Sequence, residues 1–239
     1  MSPVPAAELG GKLDWVNADP QRLSMHRGRA VLLVFWNMSS IYCHNALFEA
    51  GRLQRKYPDG LSVLGIHLPK FSSEQDRRFL LEAASRLAIQ IPVANDIEWT
   101  AWQHYGVQSW PSFVLIDGAG HVAGSFAGDD CLDALEDAVG LAMATSTTTA
   151  KPKSLQAKPQ PKPPGPLLNP SGLVLQGDQL YVSDAGVNRI FECTTAGVIR
   201  RVFGNGLPLF LDGPADEAAF YPGIGGHLRD DHGAVRRCA

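Results

Sequence analysis

Residues 29–48 read Arg-Ala-Val-Leu-Leu-Val-Phe-Trp-Asn-Met-Ser-Ser-Ile-Tyr-Cys-His-Asn-Ala-Leu-Phe. Residues 31–36 form an unbroken apolar run, which is typical of a strand buried on both faces of a parallel sheet. Apolar residues then recur at helical spacing, and Ser40 in front of them can cap a helix by accepting a backbone N–H three residues on. Cys43 is therefore expected in the first turn of this helix, where the helix N-terminus favours a thiolate.

The segments that follow predict an α/β domain over about residues 13–143. A second buried strand at residues 61–67 completes a strand–helix–strand unit with parallel strands. Ser72 and Gln75 have capping-box spacing and predict the start of another helix there. The remaining elements are an edge strand near 13–17, a strand at 91–94, a helix at 97–105, a hairpin of 112–116 with 121–126, and a final helix that begins at Asp129 and Asp130 and ends near Met143. We expect a mixed sheet of four or five strands with helices on both faces.

The pattern Trp36-x-x-x-Ser40-x-x-Cys43 after a buried strand resembles the active-site segment of thioredoxin-fold proteins, whose motif is Cys-x-x-Cys. The similarity is greatest to the TlpA-like domain of NHL-repeat-containing thioredoxin-fold proteins, in which Phe-Trp is followed by three residues and then Cys-Ile-Asn-Cys. Phe35, Trp36, Ile41 and Cys43 match that segment. Ser40 differs, because it occupies the place of the attacking cysteine.

The resemblance extends over about residues 13–140 and implies thioredoxin topology, with a cis peptide bond between Trp110 and Pro111 that faces the active site. It also implies a surface that binds an extended substrate peptide beside this proline. The residues that would form this surface are Trp36, Tyr42, Trp110 and Pro111. For Trp36 the alternative role is core packing, and for Tyr42 and Trp110 core packing stands beside an exposed binding role.

Disulfide exchange with two cysteines requires an attacking thiolate and a second thiol that resolves the mixed disulfide. A serine hydroxyl is too weak an acid to attack at neutral pH, so Ser40 removes the first step. The related family has an acidic residue where this chain has Val34, and a helix-kinking proline where it has Phe48. Cys43 corresponds to the resolving cysteine, whose burial raises a thiol pKa. Ser40 and Cys43 are therefore predicted to form a degenerate catalytic pair.

The four cysteines are Cys43, Cys131, Cys193 and Cys238, and none forms a Cys-x-x-Cys pair. Cys131, at the start of the last predicted helix, is the possible second thiol that could replace the missing one. No Cys/His spacing suggests a zinc site. We therefore expect neither a metal nor a cofactor.

The composition is that of a globular protein, with 239 residues, 45% hydrophobic and 19% charged residues, and a net charge of -3. This charge gives no electrostatic reason to expect binding to nucleic acid or to a membrane. No apolar run approaches membrane-spanning length, and the first residues show no secretory signal. The expected compartment is the cytoplasm.

Three regions are predicted along the chain: a thioredoxin-like domain at 1–143, a linker rich in Pro and Lys at 144–166, and a β-rich segment at 167–239. We expect the linker to be extended and to be the first site of limited proteolysis. The last segment resembles one blade of an NHL propeller. Because propellers need about four to eight blades to close, we expect only a small antiparallel sheet there, an incomplete propeller from a truncated NHL region.

Two functions of different class agree with these features. The first is a redox-impaired thioredoxin-fold module, related to thiol-disulfide oxidoreductases and cell redox homeostasis, that binds a peptide or protein. The second is an active, divergent thiol-disulfide oxidoreductase that uses Cys43 alone or together with Cys131, with a protein thiol or disulfide as substrate.

Overall fold

The computed structural model describes residues 3–128, 130–144, 157–158, 165–220, 227–228 and 235–236. The chain divides into two units, Met1–Pro161 and Lys162–Ala239. Most of the segment at 144–166, for which we predict a linker, lies outside the described residues, as do Asp129 and Cys238.

A six-stranded mixed sheet forms the N-terminal unit. Its strands are β1 (Asp14–Trp15), β2 (Ala30–Trp36), β3 (Leu61–His67), β4 (Val93–Asn95), β5 (Ser112–Ile116) and β6 (Val122–Ala127), arranged in the order β1-β4-β3-β2-β5-β6. Strands β2, β3 and β4 are parallel, whereas β5 runs antiparallel to β2, β6 to β5 and β1 to β4. The expected count of four or five strands was wrong: the sheet has six, because the two-residue β1 also pairs, with β4.

Four α-helices accompany the sheet in the described part of the chain: α1 (Ile41–Lys56), α2 (Arg77–Arg86), α3 (Thr100–His104) and α4 (Leu132–Ala144). Short 3₁₀ helices occupy Leu23–His26 and Ser72–Gln75. The capping box that we predict at Ser72 is wrong: α2 begins only at Arg77, and the Asp76 side chain caps it by accepting the Arg78 backbone N–H. Ser72 begins a separate 3₁₀ helix that ends at Gln75, and within it the Glu74 side chain accepts hydrogen bonds from Asn37 and Ser39 in the loop after β2.

Strand β2 lies at the centre of this unit, and every one of its residues is buried. Its even-numbered side chains, Leu32, Val34 and Trp36, join a core with α1, α2 and α4. Its odd-numbered side chains, Val31, Leu33 and Phe35, join a second core on the opposite face, to which α3 contributes Ala101. The prediction of a central strand buried on both faces is confirmed.

The second unit is an antiparallel sheet of four strands, β7 (Pro170–Gln176), β8 (Gln179–Asp184), β9 (Arg189–Thr194) and β10 (Ile199–Phe203). A separate two-residue pair, β11 (His227–Leu228) with β12 (Val235–Arg236), follows it. The expected small antiparallel sheet is confirmed, and the described residues of this unit include no closed propeller.

Candidate functional site

The candidate site lies at one edge of the six-stranded sheet. The parallel strands β2, β3 and β4 all end at this edge, and β5, which runs the other way, begins there. Loops at the carboxyl ends of parallel strands are a common place for binding sites, because the polypeptide must turn there and its side chains face outward. The Trp110–Pro111 peptide bond that leads into β5 is cis, in agreement with the sequence pattern.

Ser40 caps α1, as its position before the helix predicts. Its backbone is extended, with φ -107° and ψ 119°, and its Oγ accepts the Cys43 backbone N–H at 3.5 Å. The serine therefore keeps the structural role of a helix start.

Cys43 is fully buried in the first turn of α1. Burial raises the pKa of its thiol, and hydrogen bonds from the Ser40 side chain and the Asn37 backbone N–H oppose this rise only in part. The balance favours the neutral thiol, since a buried thiolate loses its hydration. Cys43 is therefore a poor nucleophile in this conformation.

The two further departures from the related motif occupy different environments. Val34 is fully buried in the same core as Cys43. Because it is a valine, it offers Cys43 no carboxylate. Phe48 lies on α1 with 64% of its surface exposed. His44, next to Cys43, is half-buried: its Nε2 lies 2.8 Å from the Met38 carbonyl oxygen, and burial lowers its pKa.

Cys131 precedes α4 and is half-buried, and its thiol donates a hydrogen bond to the Gly128 carbonyl oxygen at 3.1 Å. Cys43 and Cys131 form no disulfide with each other in the structure. The pairing that could give this chain a substitute disulfide is therefore not formed.

The aromatic residues named from the sequence separate into two groups. Trp36 is fully buried and packs edge-on against His67, at 5.1 Å between ring centroids. It is a core residue, because no part of its surface is available to a substrate. Tyr42, by contrast, is 58% exposed, and Trp110 is partly exposed beside Pro111.

Trp110 belongs to a tryptophan cluster with Trp99 and Trp102, which sequence reasoning did not connect to the site. The ring centroids are 5.2–5.7 Å apart and the rings meet at tilted or T-shaped angles. Trp99 has φ 58°, which is uncommon for a bulky side chain. Buried Asp96 holds this turn by accepting the backbone N–H groups of Thr100 and Trp102. Three Trp within twelve positions was the available signal in the sequence.

A buried polar network beside Ser40 was also missed. Glu74, in the connection between β3 and α2, is only 2% exposed and accepts hydrogen bonds from the side chains of Asn37 and Ser39. Asn37 and Ser39 belong to the loop that joins β2 to α1. The sequence held no signal for these hydrogen bonds, because they join residues 35 or more positions apart and depend on how the side chains are oriented in the fold.

The described residues contain no group of three His, Cys, Asp or Glu side chains that could hold a metal ion. Within the same ranges, no helix has the length and apolar character needed to cross a bilayer.

Comparison with known proteins gives relatives for both units. The chain is 31% identical over 225 residues to protein SUPPRESSOR OF QUENCHING 1, chloroplastic, from Arabidopsis thaliana, and 30% identical over 224 residues to NHL repeat-containing protein 2 from Gallus gallus. Each match covers 89% of this chain but only 21% and 31% of those relatives. A match of that extent includes residues of both units. The chain thus spans about a fifth to a third of the relatives' length.

A shorter relative matches along almost its whole length. Thiol-disulfide oxidoreductase YkuV from Bacillus subtilis is 25% identical over 140 residues, which are 59% of this chain and 95% of that protein. Among solved structures, that of a thioredoxin-like protein in the oxidized form matches with a TM-score of 0.55 and 24% identity, over 62% of this chain and all of that chain. No protein-family model matches. The chain therefore has a thioredoxin-like fold and NHL-repeat-containing homologues.

Proposed function

We propose that the N-terminal unit is a thioredoxin-fold binding module, impaired in disulfide exchange, that takes an extended peptide or protein segment at the sheet edge beside Pro111. The observation that carries this proposal is the state of the Ser40–Cys43 pair. Ser40 acts as a helix cap, and Cys43 is fully buried with a raised pKa.

The redox step fails for a chemical reason. Exchange begins with attack by an exposed thiolate on a disulfide sulfur, and it needs a second thiol to release the product. Position 40 offers a hydroxyl, and Cys43 offers a thiol that is both buried and neutral. The substitute partner Cys131 donates its thiol hydrogen to Gly128 instead.

The binding role rests on what remains accessible at this edge. Tyr42 at the start of α1 is 58% exposed, and Trp110, directly before Pro111, is partly exposed. Large aromatic rings with a polar atom provide contact area with little loss of conformational entropy, which suits them to peptide binding. YkuV, named as a thiol-disulfide oxidoreductase, matches the same unit, so we propose a protein thiol or disulfide segment as the partner. We propose the cytoplasm as the compartment. Fluorescence imaging of the tagged protein in cells tests this proposal.

Insulin reduction with dithiothreitol tests the impaired chemistry. We expect the wild-type protein to stay at the background rate, Ser40→Cys to raise the rate above it, and Ser40→Ala to remain at background as the matched control. Adding Val34→Asp to Ser40→Cys should raise the rate further, because a carboxylate there assists proton transfer. Wild-type turnover that Cys43→Ala abolishes would refute the proposal in favour of an oxidoreductase acting through Cys43.

Binding is tested separately with carboxymethylated insulin B chain as the extended probe, titrated against intrinsic tryptophan fluorescence. We expect saturable binding that Tyr42→Ala weakens severalfold, since its ring is lost from the proposed surface. Leu141→Ala serves as the control, because this side chain on α4 is even more exposed at 72%. Equal affinities of the two variants would count against the proposed surface.

A further inference from the structure

Glu74 is an acidic side chain held inside the protein by hydrogen-bond donors. Its Oε2 accepts the Asn37 side-chain amide at 2.8 Å and the Lys70 backbone N–H at 2.6 Å, while its Oε1 accepts the Ser39 hydroxyl at 2.5 Å. A longer contact of 3.4 Å reaches the Phe71 backbone N–H. Burial would raise the pKa of this carboxyl, but these hydrogen bonds outweigh burial and lower it. Glu74 is therefore ionised at neutral pH.

The donors from Asn37 and Ser39 belong to the four-residue loop that delivers Ser40. Asn37 is 3% exposed, and its amide also donates to the Leu68 carbonyl oxygen at 2.8 Å. Its side-chain oxygen accepts the Ser39 backbone N–H at 3.0 Å, and its backbone carbonyl accepts the Ser40 N–H at 3.2 Å. Asn37 thus links Glu74 to the backbone of the loop.

The same loop carries the residue that caps the helix of Cys43, because Ser40 Oγ accepts the Cys43 backbone N–H at 3.5 Å. Hydrogen bonding by the Ser40 side chain and the Asn37 backbone also lowers the pKa of the Cys43 thiol, against the larger effect of burial. We propose that Glu74 is the positioning residue of this site: its carboxylate holds Asn37 and Ser39, and through this loop it keeps Ser40 in place at the Cys43 backbone N–H. This inference rests on the proposed function, which it extends by naming the residue that holds the loop 37–40 at the site.

Glu74 acts through its neighbours and makes no hydrogen bond to Cys43 among the contacts that hold it. A second titratable group that the Glu74 charge affects is His67, which is fully buried and whose Nδ1–H donates to Asn95 Oδ1 at 2.9 Å. Burial lowers the pKa of His67, and the Glu74 charge opposes that effect in part. The positioning role therefore has to be separated from a simple charge effect.

Two substitutions at Glu74 make this separation. In Glu74→Gln the amide oxygen can accept from the Asn37 amide and the Lys70 N–H, and the amide nitrogen can donate to the Ser39 hydroxyl, so the loop stays in place without the charge. In Glu74→Ala both the acceptors and the charge are lost. A positioning role predicts that glutamine preserves the environment of Cys43 and alanine does not.

The measurement is a ¹³C NMR titration of the labelled cysteine in the full chain, with Cys131, Cys193 and Cys238 each changed to Ser. We expect Glu74→Ala to reduce the thiolate fraction of Cys43 about tenfold at a fixed pH below its pKa, the effect of losing about one hydrogen bond to a charged group. Glu74→Gln should stay within about twofold of wild type by the same reasoning. Glu82→Ala, which removes an exposed glutamate of α2, should leave the titration unchanged.

A wild-type titration curve for Glu74→Ala, even with a lowered melting temperature, would overturn the inference, since it would leave Glu74 a purely structural role. An equal shift in Glu74→Gln and Glu74→Ala would overturn it as well. If Glu74→Ala does not fold, Ser39→Ala replaces it, because Ser39 is exposed and its substitution removes one of the three short hydrogen bonds to Glu74. We expect Ser39→Ala to reduce the thiolate fraction of Cys43 by a smaller factor than Glu74→Ala. An unchanged thiolate fraction would refute the inference. Insulin B chain binding is a separate readout, so failure of the proposed function is recognised independently.

Discussion

His26 makes the stability of the N-terminal unit depend on pH. This side chain is 1% exposed at the end of the first 3₁₀ helix, with its Nδ1 at 3.1 Å from the Ser62 hydroxyl. Its Nε2 has no hydrogen-bond partner among the described residues. Burial first, and then the positive charge of Arg29, lower its pKa from 6.5 to about 4, against a weak opposite effect of Glu8.

The size of the effect follows from the two pKa values. Above pH 6.5 the imidazole is neutral in both the folded and the unfolded chain, so its full contribution to stability is present. As the pH falls below 6.5, the unfolded chain binds the proton first, and stability decreases until the folded pKa of about 4 is reached. At about 1.4 kcal/mol per pKa unit, the whole loss is about 3 kcal/mol.

Urea unfolding of wild type and His26→Gln at about pH 7 and about pH 4.5 tests this. All five tryptophans, at positions 15, 36, 99, 102 and 110, belong to the N-terminal unit, so their fluorescence reports on it alone. We expect the wild type to lose about 2 to 3 kcal/mol more than the variant on acidification. His44 and His67 titrate in both proteins and cancel in the comparison. Equal losses would refute the reasoning.

Three further substitutions have outcomes fixed by local geometry. Gly65→Ala places a Cβ 3.2 Å from the indole nitrogen of buried Trp36 and should destabilise the protein by about 1 to 3 kcal/mol in urea unfolding, whereas Gly10→Ala, with no atom within 4 Å, should not. Glu136→Gln removes the charged partner of Arg52 and Lys56 on α1. Its small effect on the melting temperature should disappear at about 1 M NaCl, and an effect that remains at that salt concentration would contradict a salt-screened surface interaction. Asp184→Asn weakens the three hydrogen bonds that backbone N–H groups donate to this buried carboxylate. The hydrogen-exchange rates of those amides should therefore rise about tenfold or more, and unchanged rates would count against this role of Asp184.

The sequence sufficed for the features that depend on local pattern. The unbroken apolar run at 31–36 is typical of a strand covered on both faces, and a serine before an apolar helical pattern is typical of a cap, so β2 and the start of α1 were predictable. The cap of α2 was not, because Ser72 and Asp76 are both good capping residues and the local sequence does not decide between them. A two-residue strand such as β1 has no periodicity to detect, and its pairing with β4 depends on tertiary packing.

The candidate site shows the same division. Ser40 and Cys43 stood out from their spacing, and the burial of Cys43 was implied by its match to the resolving cysteine of the related family. Trp36 could not be assigned in advance, since an aromatic residue at the end of a strand can point into the core or out of it. The tryptophan cluster and the Glu74 network each join segments that are distant in sequence, so only the fold brings them together.

The replacement at position 40 separates two roles that a cysteine in this place combines. Capping α1 requires only an oxygen or sulfur that accepts a backbone N–H, and serine is among the best residues for it. Exchange requires a thiolate, which serine cannot supply. The helix start and the hydrogen bonds of Glu74 to the loop do not depend on a thiol at position 40, since none of these contacts uses one. The thioredoxin-like fold alone therefore assigns no activity to this chain, and activity has to be judged from the residues at positions 40 and 43.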